Sequence, residues 1–187
     1  MSDFQLHELS GPFDVSEISS TLGYLSFGSI LIPTIEGVSV RAEVDEATNE
    51  VIAVSFEHEG SVLQVSVFSA AKSEELWPEI YSQLISTITS TGGSVIETIG
   101  GFGKQLDTKL VTTDQVREIR FIGFDGPRWF LRGAITGPAL TDANAAINME
   151  DIFRSLVIDR GNFPLPPREP LPLRVPEGNF VPPKFGL

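Results

Sequence analysis

The chain has 187 residues, of which 41% are apolar, and its 13 basic and 25 acidic residues give a formal net charge of −12. This length and apolar content predict one domain with a sizeable core, and the acidic excess argues against nucleic acid and membrane surfaces as partners. The absence of cysteine excludes disulfides, thiolate zinc sites and a cysteine nucleophile.

The chain shows no targeting or membrane signal. No stretch approaches the roughly 18 consecutive apolar residues of a membrane-spanning helix. Residues 1–17 have neither the basic start nor the apolar run of a secretory signal. We therefore expect a cytoplasmic protein.

The first half of the chain predicts three strands after an irregular start. Residues 1–28 are polar with little periodicity, and we expect an irregular N-terminal segment. Apolar alternation over residues 38–45, 51–57 and 62–69, with polar breaks between them, predicts an antiparallel meander. In its third strand, Leu63, Val65 and Val67 should face the core.

Residues 73–93 change to a helical period. Pro78 is tolerated only in a first turn, so the helix should begin near it, and Gly92 and Gly93 should end it. The apolar stripe recurs at three- and four-residue spacing, as in an amphipathic helix: Trp77, Ile80, Tyr81, Leu84 and Ile88.

Strands resume over 94–99, 104–112, 117–124 and 128–136, and residues 141–157 predict a second helix that starts at Asp142 or Thr141. From residue 162 onward the composition changes, since eight of the 13 prolines lie in residues 164–187. Proline-rich sequence of this kind favours an extended conformation over a helix or a central strand.

These elements predict an α+β fold. We expect a single antiparallel β-sheet, in the order β-β-β-α-β-β-β-α, with both helices packed on one face. We divide the chain into an irregular N-terminal segment (1–28), an α+β domain (29–161) and an extended proline-rich C-terminal arm (162–187). Leu165, Leu171 and Leu173 should bury apolar surface of the arm against the domain.

The residue types of common active sites are sparse. The chain has two histidines, His7 in the polar N-terminus and His58 in a predicted turn, where a solvated side chain is expected. The glycines around Lys104 lack the spacing and the Ser/Thr of a phosphate-binding loop, and a bend between two strands is expected there. We predict no catalytic constellation, no metal site and no cofactor.

The segment "FDGPRWFLRG" (124–133) is the strongest candidate for a binding surface. It predicts a hairpin turn at Asp125-Gly126, followed by a strand with Trp129 on its core face. Arg128, Phe130 and Arg132 would then share the opposite face. Either the two arginines pair with Glu118 or other acids of neighbouring strands and Phe130 lies beneath the C-terminal arm, or this face binds an acidic or extended peptide.

Four of the 13 basic residues fall within residues 117–132, namely Arg117, Arg120, Arg128 and Arg132. Their clustering suggests an alternative site, a pocket between sheet and helices in which these guanidinium groups clamp an anion. Convergence of at least two of them in a concave pocket would favour a ligand-binding domain or an enzyme.

Several segments resemble the actinobacterial domain-of-unknown-function family 3710. They are "GPFDVSE", "VDEATNEVIAVSF", "LWPEIYSQL", "DGPRWFLRGAITG", "EDIFRSLVIDRG" and "PLPPREPLPLRVP", so the resemblance covers most of residues 11–176. One departure is "GGFG" at 100–103, where a typical member has "GPFG". The resemblance implies a cytoplasmic setting and assigns no activity, cofactor or catalytic residue.

Together these observations predict a non-enzymatic, adaptor-like or chaperone-like module that binds a protein partner, with a homodimer as one option. An anion-binding or small-molecule-binding domain, or an enzyme with an arginine-lined pocket, is the alternative. The binding candidates are Arg128, Phe130, Arg132, Arg117 and Arg120.

Overall fold

The structure is a computed structural model that describes residues 11–177. Within these residues, α-helices run over Trp77–Ser90 (α1) and Ala143–Ser155 (α2). The strands, in chain order, are β1 Phe13–Asp14, β2 Tyr24–Ser26, β3 Ile30–Pro33, β4 Ser39–Asp45, β5 Glu50–His58, β6 Ser61–Ser69, β7 Ser94–Gly100, β8 Gly103–Val111, β9 Val116–Gly126, β10 Trp129–Thr136 and β11 Val157–Ile158.

Seven strands form one antiparallel sheet in the order β4-β5-β6-β10-β9-β8-β7. The antiparallel strand pairs of this sheet include the predicted meander and the predicted hairpins. The α+β class with an antiparallel sheet is confirmed. Four strands lie between α1 and α2, where the predicted order had three. The turn between β9 and β10 consists of Pro127 and Arg128, two residues later than the predicted Asp125-Gly126, with Arg128 at φ 64°.

The prediction of a single sheet is wrong. A second sheet has four short strands in the order β1-β11-β3-β2, and β1 pairs with β11 in parallel. These strands are two to four residues long. Strands this short carry too few side chains to display a period-2 pattern, so sequence periodicity could not identify them.

The prediction that both helices pack on one face of the sheet is also wrong. Trp129 and Leu131 belong to the main core, which includes Met149 and Phe153 of α2 and residues of the four-stranded sheet. Phe130, between them on β10, points to the opposite face and packs in a second cluster under α1. We call these the α2 face and the α1 face of the seven-stranded sheet.

Helix α1 is joined to its face by two features of β9. Asp125 accepts hydrogen bonds from the backbone N–H groups of Leu76 (2.7 Å) and Trp77 (3.2 Å) at the start of the helix. Gly123 lies directly beneath the Trp77 ring, where a Cβ would collide with the indole. The helix ends as predicted: Gly92 takes φ 88°, and Gly93 N–H donates to the Ile88 carbonyl (2.9 Å).

The segment after β11 returns to both sheets. Leu171 N–H donates to the Val67 carbonyl of β6 (3.0 Å), and Arg174 N–H donates to the Phe27 carbonyl (3.0 Å). Leu171 is 2% exposed within the main core. Leu165 and Leu173 pack against the same core and are partly buried.

The predicted boundaries at residues 28 and 161 stay predictions. The segment 1–28 contains β1, β2 and a 3-10 turn at Val15–Glu17, and its residues 1–10, with His7, lie outside the described part, as does 178–187 of the predicted arm. Neither helix among the described residues is long and apolar enough to span a bilayer.

Candidate binding cleft

A cleft of about 770 Å³ opens between the C-terminal half of α2, the four-stranded sheet and the loop after β3. Most of its wall is apolar, contributed by Phe13 of β1, Pro33 of β3, Ile35, Val38 and Ile152. The strands bring these residues together because β1 and β3 both pair with β11, the strand that directly follows α2.

His58 lies at the end of β5 and lines this cleft. Its Nδ1 is 3.0 Å from the Gly37 carbonyl oxygen, and a carbonyl only accepts, so Nδ1 carries the proton in the neutral ring. Nε2 is then the free lone pair, 3.9 Å from Glu59 Oε2. The side chain is 22% exposed, so it is less solvated than we predicted for a turn residue.

Helix α2 supplies the charged wall of the cleft. Arg154 Nη1 is 3.4 Å from Asp151 Oδ1, and its guanidinium lies 4.7 Å from the centroid of the Phe102 ring. Phe102 sits in the β7–β8 turn, beside Gly101. A Cβ on Gly101 would come within 2.6 Å of Glu150 Oε2 and 2.8 Å of Arg154 Nη2, so a glycine lets the turn approach the helix. The glycines here form a turn between strands, as predicted.

Two polar side chains of the cleft donate to backbone carbonyls. Ser155 Oγ donates to the Ile152 carbonyl (2.6 Å), and His58 Nδ1 donates to the Gly37 carbonyl. Asn148, Tyr24, Thr34 and Glu36 complete the lining. The cleft therefore combines an apolar wall with a few polar groups, which is the general composition of a ligand pocket.

None of the arginines predicted for binding lines this cleft. Arg120 is paired with Asp107 through two hydrogen bonds, Nε–Oδ1 (2.6 Å) and Nη2–Oδ2 (3.3 Å). Arg117 is exposed on β9. Its neighbour Glu118 forms an ion pair with Lys109 at 3.1 Å.

The predicted surface of Arg128, Phe130 and Arg132 is divided by the structure. Phe130 is completely buried, stacked with the rings of Trp77 (5.9 Å between centroids) and Phe68 (6.3 Å). Arg132 is partly buried, 5.4 Å from the Phe68 centroid, and burial lowers its pKa. Arg128 is an exposed turn residue. Phe130 therefore presents no ring to a partner.

Sequence reasoning missed the cleft. Its residues come from six separate elements or loops, and His58 is the one that the sequence analysis weighs as a chemical group. The pattern that could have revealed part of it is the run "MEDIFRS" in α2, where Asp151, Arg154 and Ser155 border the buried Ile152. Nothing in the sequence places this helix end beside β3 and β5.

No group of three or more potential ligands among residues 11–177 could hold a metal ion. No curated protein and no solved structure matches the chain. A family model described as a protein of unknown function (DUF3710) matches residues 11–179. This match confirms the resemblance seen in the sequence. The chain belongs to domain-of-unknown-function family 3710.

Proposed function

We propose that the protein is a non-enzymatic binding module, adaptor-like or chaperone-like, that receives an apolar side chain of a protein partner in the cleft between α2 and the four-stranded sheet. The observation that carries the proposal is the cleft itself: an open apolar wall with charged residues of both signs, Glu36, Asp151 and Arg154, among its lining. An apolar centre with a polar surround is the anatomy of protein interfaces.

Binding is favoured over catalysis by the state of the polar groups in the cleft. The Ser155 hydroxyl donates to its own helix, and the protonated nitrogen of His58 donates to a backbone carbonyl. Arg154 is held by Asp151 and by the Phe102 ring. Polar side chains that are held by such bonds fix the shape of a binding surface.

The proposal includes the setting and the arm. The protein acts in the cytoplasm, in keeping with a chain that lacks cysteine. The proposal takes the predicted proline-rich arm as extended over its described residues 162–177, supported by the backbone bonds of Leu171 and Arg174 to the domain. A second copy of the chain is one candidate partner, and light scattering of the purified protein measures that directly.

A small molecule is the second candidate ligand. The volume of about 770 Å³ lies within the range of roughly 300–1,000 Å³ that is typical of small-molecule pockets. Arg154 is the arginine that lines this cleft. An anionic ligand in the cleft would therefore contact Arg154 rather than the arginines of residues 117–132.

The test fills the cleft without disturbing the core. Asn148→Trp places an indole at the cleft wall, and Asn144→Trp on the exposed side of the same helix is the matched control. Tagged wild type and both variants are purified from the source cells, and the bound proteins are quantified by mass spectrometry. We expect one partner to be retained by Asn144→Trp and reduced at least about tenfold by Asn148→Trp, equal to about 1.4 kcal/mol.

Native mass spectrometry of the same preparations separates the two candidates. A small added mass that is present in wild type and lost only in Asn148→Trp would identify a small-molecule ligand instead. Identical protein partners and identical masses for all three chains would contradict a role for the cleft.

A further inference from the structure

Arg160, two residues beyond β11, is an arginine inside the protein. It is 6% exposed, and its Nη1 donates to the Phe163 carbonyl (2.9 Å) while Nη2 donates to Ser69 Oγ (3.2 Å). Its Nε is buried and has no hydrogen-bond partner. A buried donor without a partner is costly, and such groups in native structures call for an explanation.

Arg160 also lacks a counter-ion. Five other arginines in the described part of the chain have a carboxylate within 4.0 Å: Arg41, Arg120, Arg154, Arg168 and Arg174. No described carboxylate lies that close to Arg160. Burying an unpaired charge is strongly unfavourable, and a protein with a net charge of −12 has many acids from which a partner could have come.

A second unpaired arginine lies beside the first. The Arg128 carbonyl accepts from Ala70 N–H (2.9 Å), and the preceding residue, Ser69, holds the Arg160 guanidinium. Arg128 is exposed at the β9–β10 turn and makes no ion pair within residues 11–177. The pKa of Arg160 is lowered by burial and, to a smaller extent, by this neighbouring positive charge.

We propose that Arg160 and Arg128 form a binding site for the phosphate group of a small molecule. The Nε and Nη2 groups of Arg160 form one edge of the guanidinium fork, which suits two oxygens of a phosphate, and Arg128 supplies the second positive charge from the surface. The anion satisfies the unpartnered Nε and relieves the repulsion between the two guanidiniums. This site goes beyond the proposed function, because none of its residues lines the cleft.

Phe163 forms the outer wall of this site. Its ring centroid lies 5.7 Å from the Arg160 guanidinium, and the residue is 43% exposed. Nε itself is buried, and we expect a phosphate to reach it by displacing this ring. Removing the ring should therefore make the guanidinium easier to reach while leaving both charges in place.

The test measures inorganic phosphate binding to the full chain by isothermal titration calorimetry at constant ionic strength, with acetate as the carboxylate probe. Arg128→Gly removes the exposed guanidinium and suits the positive φ of that turn. Arg117→Gln, at an exposed position of β9 with no ion pair in the described residues, is the matched control. We expect saturable phosphate binding by wild type and Arg117→Gln, weakened at least about fivefold in Arg128→Gly.

Phe163→Ala should bind phosphate at least as tightly as wild type. The proposal is overturned by wild type showing no saturable binding, by equal losses in Arg128→Gly and Arg117→Gln, or by a loss in Phe163→Ala as large as that in Arg128→Gly. Acetate binding as tight as phosphate binding would overturn the assignment to a phosphate group.

Discussion

At the scale of single residues, side chains from distant strands complete elements that their own sequence leaves unfinished. Leu76 occupies the N-cap position of α1 and has no side-chain acceptor for the free N–H groups of the first turn. Asp125 of β9 provides that acceptor. Likewise, the buried indole N–H of Trp129 donates to Asp14 Oδ2 (2.8 Å), 115 positions earlier in the chain. Local propensity could not have predicted either bond.

Asp125 should make stability depend on pH. Burial is the main cause that raises its pKa above 3.8, although the two backbone N–H groups act in the opposite direction. The folded state therefore binds this proton more tightly than the unfolded state. The charged form costs stability above the folded pKa, and that cost disappears as the pH falls towards 3.8.

Asp125→Asn removes this titration. We expect the free energy of unfolding of wild type, minus that of Asp125→Asn, to increase as the pH is lowered from about 7 to about 3.8, because the folded protein then takes up the proton that its raised pKa favours. Urea unfolding curves of both proteins across this range measure the difference. A constant difference, or one that falls with the pH, would contradict the raised pKa.

At the scale of elements, the C-terminal segment completes the sheet edge that β5 leaves open. Strand β5 pairs with β6 only over Ser61–Val65. Beyond that point, Ser69 N–H donates to the Glu169 carbonyl (2.8 Å), and Leu171 bonds Val67. Proline is excluded from central strands because it lacks an N–H, and here Pro170 sits at an isolated bridge to Phe68.

Two substitutions in this segment should differ sharply in effect. Leu171→Ala removes a side chain that is 2% exposed in the main core, and we expect a loss of about 2–5 kcal/mol in the free energy of unfolding. Val175→Ala, four residues later at 49% exposure, should change it by no more than about 0.5 kcal/mol. Chemical denaturation measures both. Equal effects would mean that the segment is not anchored through Leu171.

At the scale of the whole molecule, β10 joins the two hydrophobic clusters. Its residues alternate between the main core, through Trp129 and Leu131, and the α1 cluster, through Phe130. A strand that is buried on both faces reads as a continuous apolar run, and "WFL" is such a run. Unfolding either cluster would therefore expose one side of the central strand.

The two tryptophans of the chain can test this coupling. Trp77 belongs to the α1 cluster and Trp129 to the main core. In Trp77→Phe the fluorescence reports on the main core, and in Trp129→Phe it reports on the α1 cluster. We expect the fluorescence midpoint in urea to coincide with the far-ultraviolet circular dichroism midpoint of the same variant, as in a single cooperative transition. Separate midpoints in either variant would show that the two clusters unfold independently.

The sequence by itself predicted the long elements of this protein. Each helix and each strand of the seven-stranded sheet carries its own periodicity, which made these elements predictable. The ends of α1 were predictable because proline at 78 and glycine at 92 restrict or free the local backbone. The family was readable too, since its segments recur in order along the chain.

Only the tertiary structure decided which face each helix covers, how the four short strands pair, and where side chains meet. Strand alternation put Phe130 on the face opposite Trp129, but it could not show that α1 packs on that face. Arg120 meets Asp107 because β8 and β9 pair in one register, and the cleft joins β1, β3, β5 and α2 across more than 140 positions. Such contacts depend on how distant parts of the chain pack together, and a local sequence pattern cannot predict that packing.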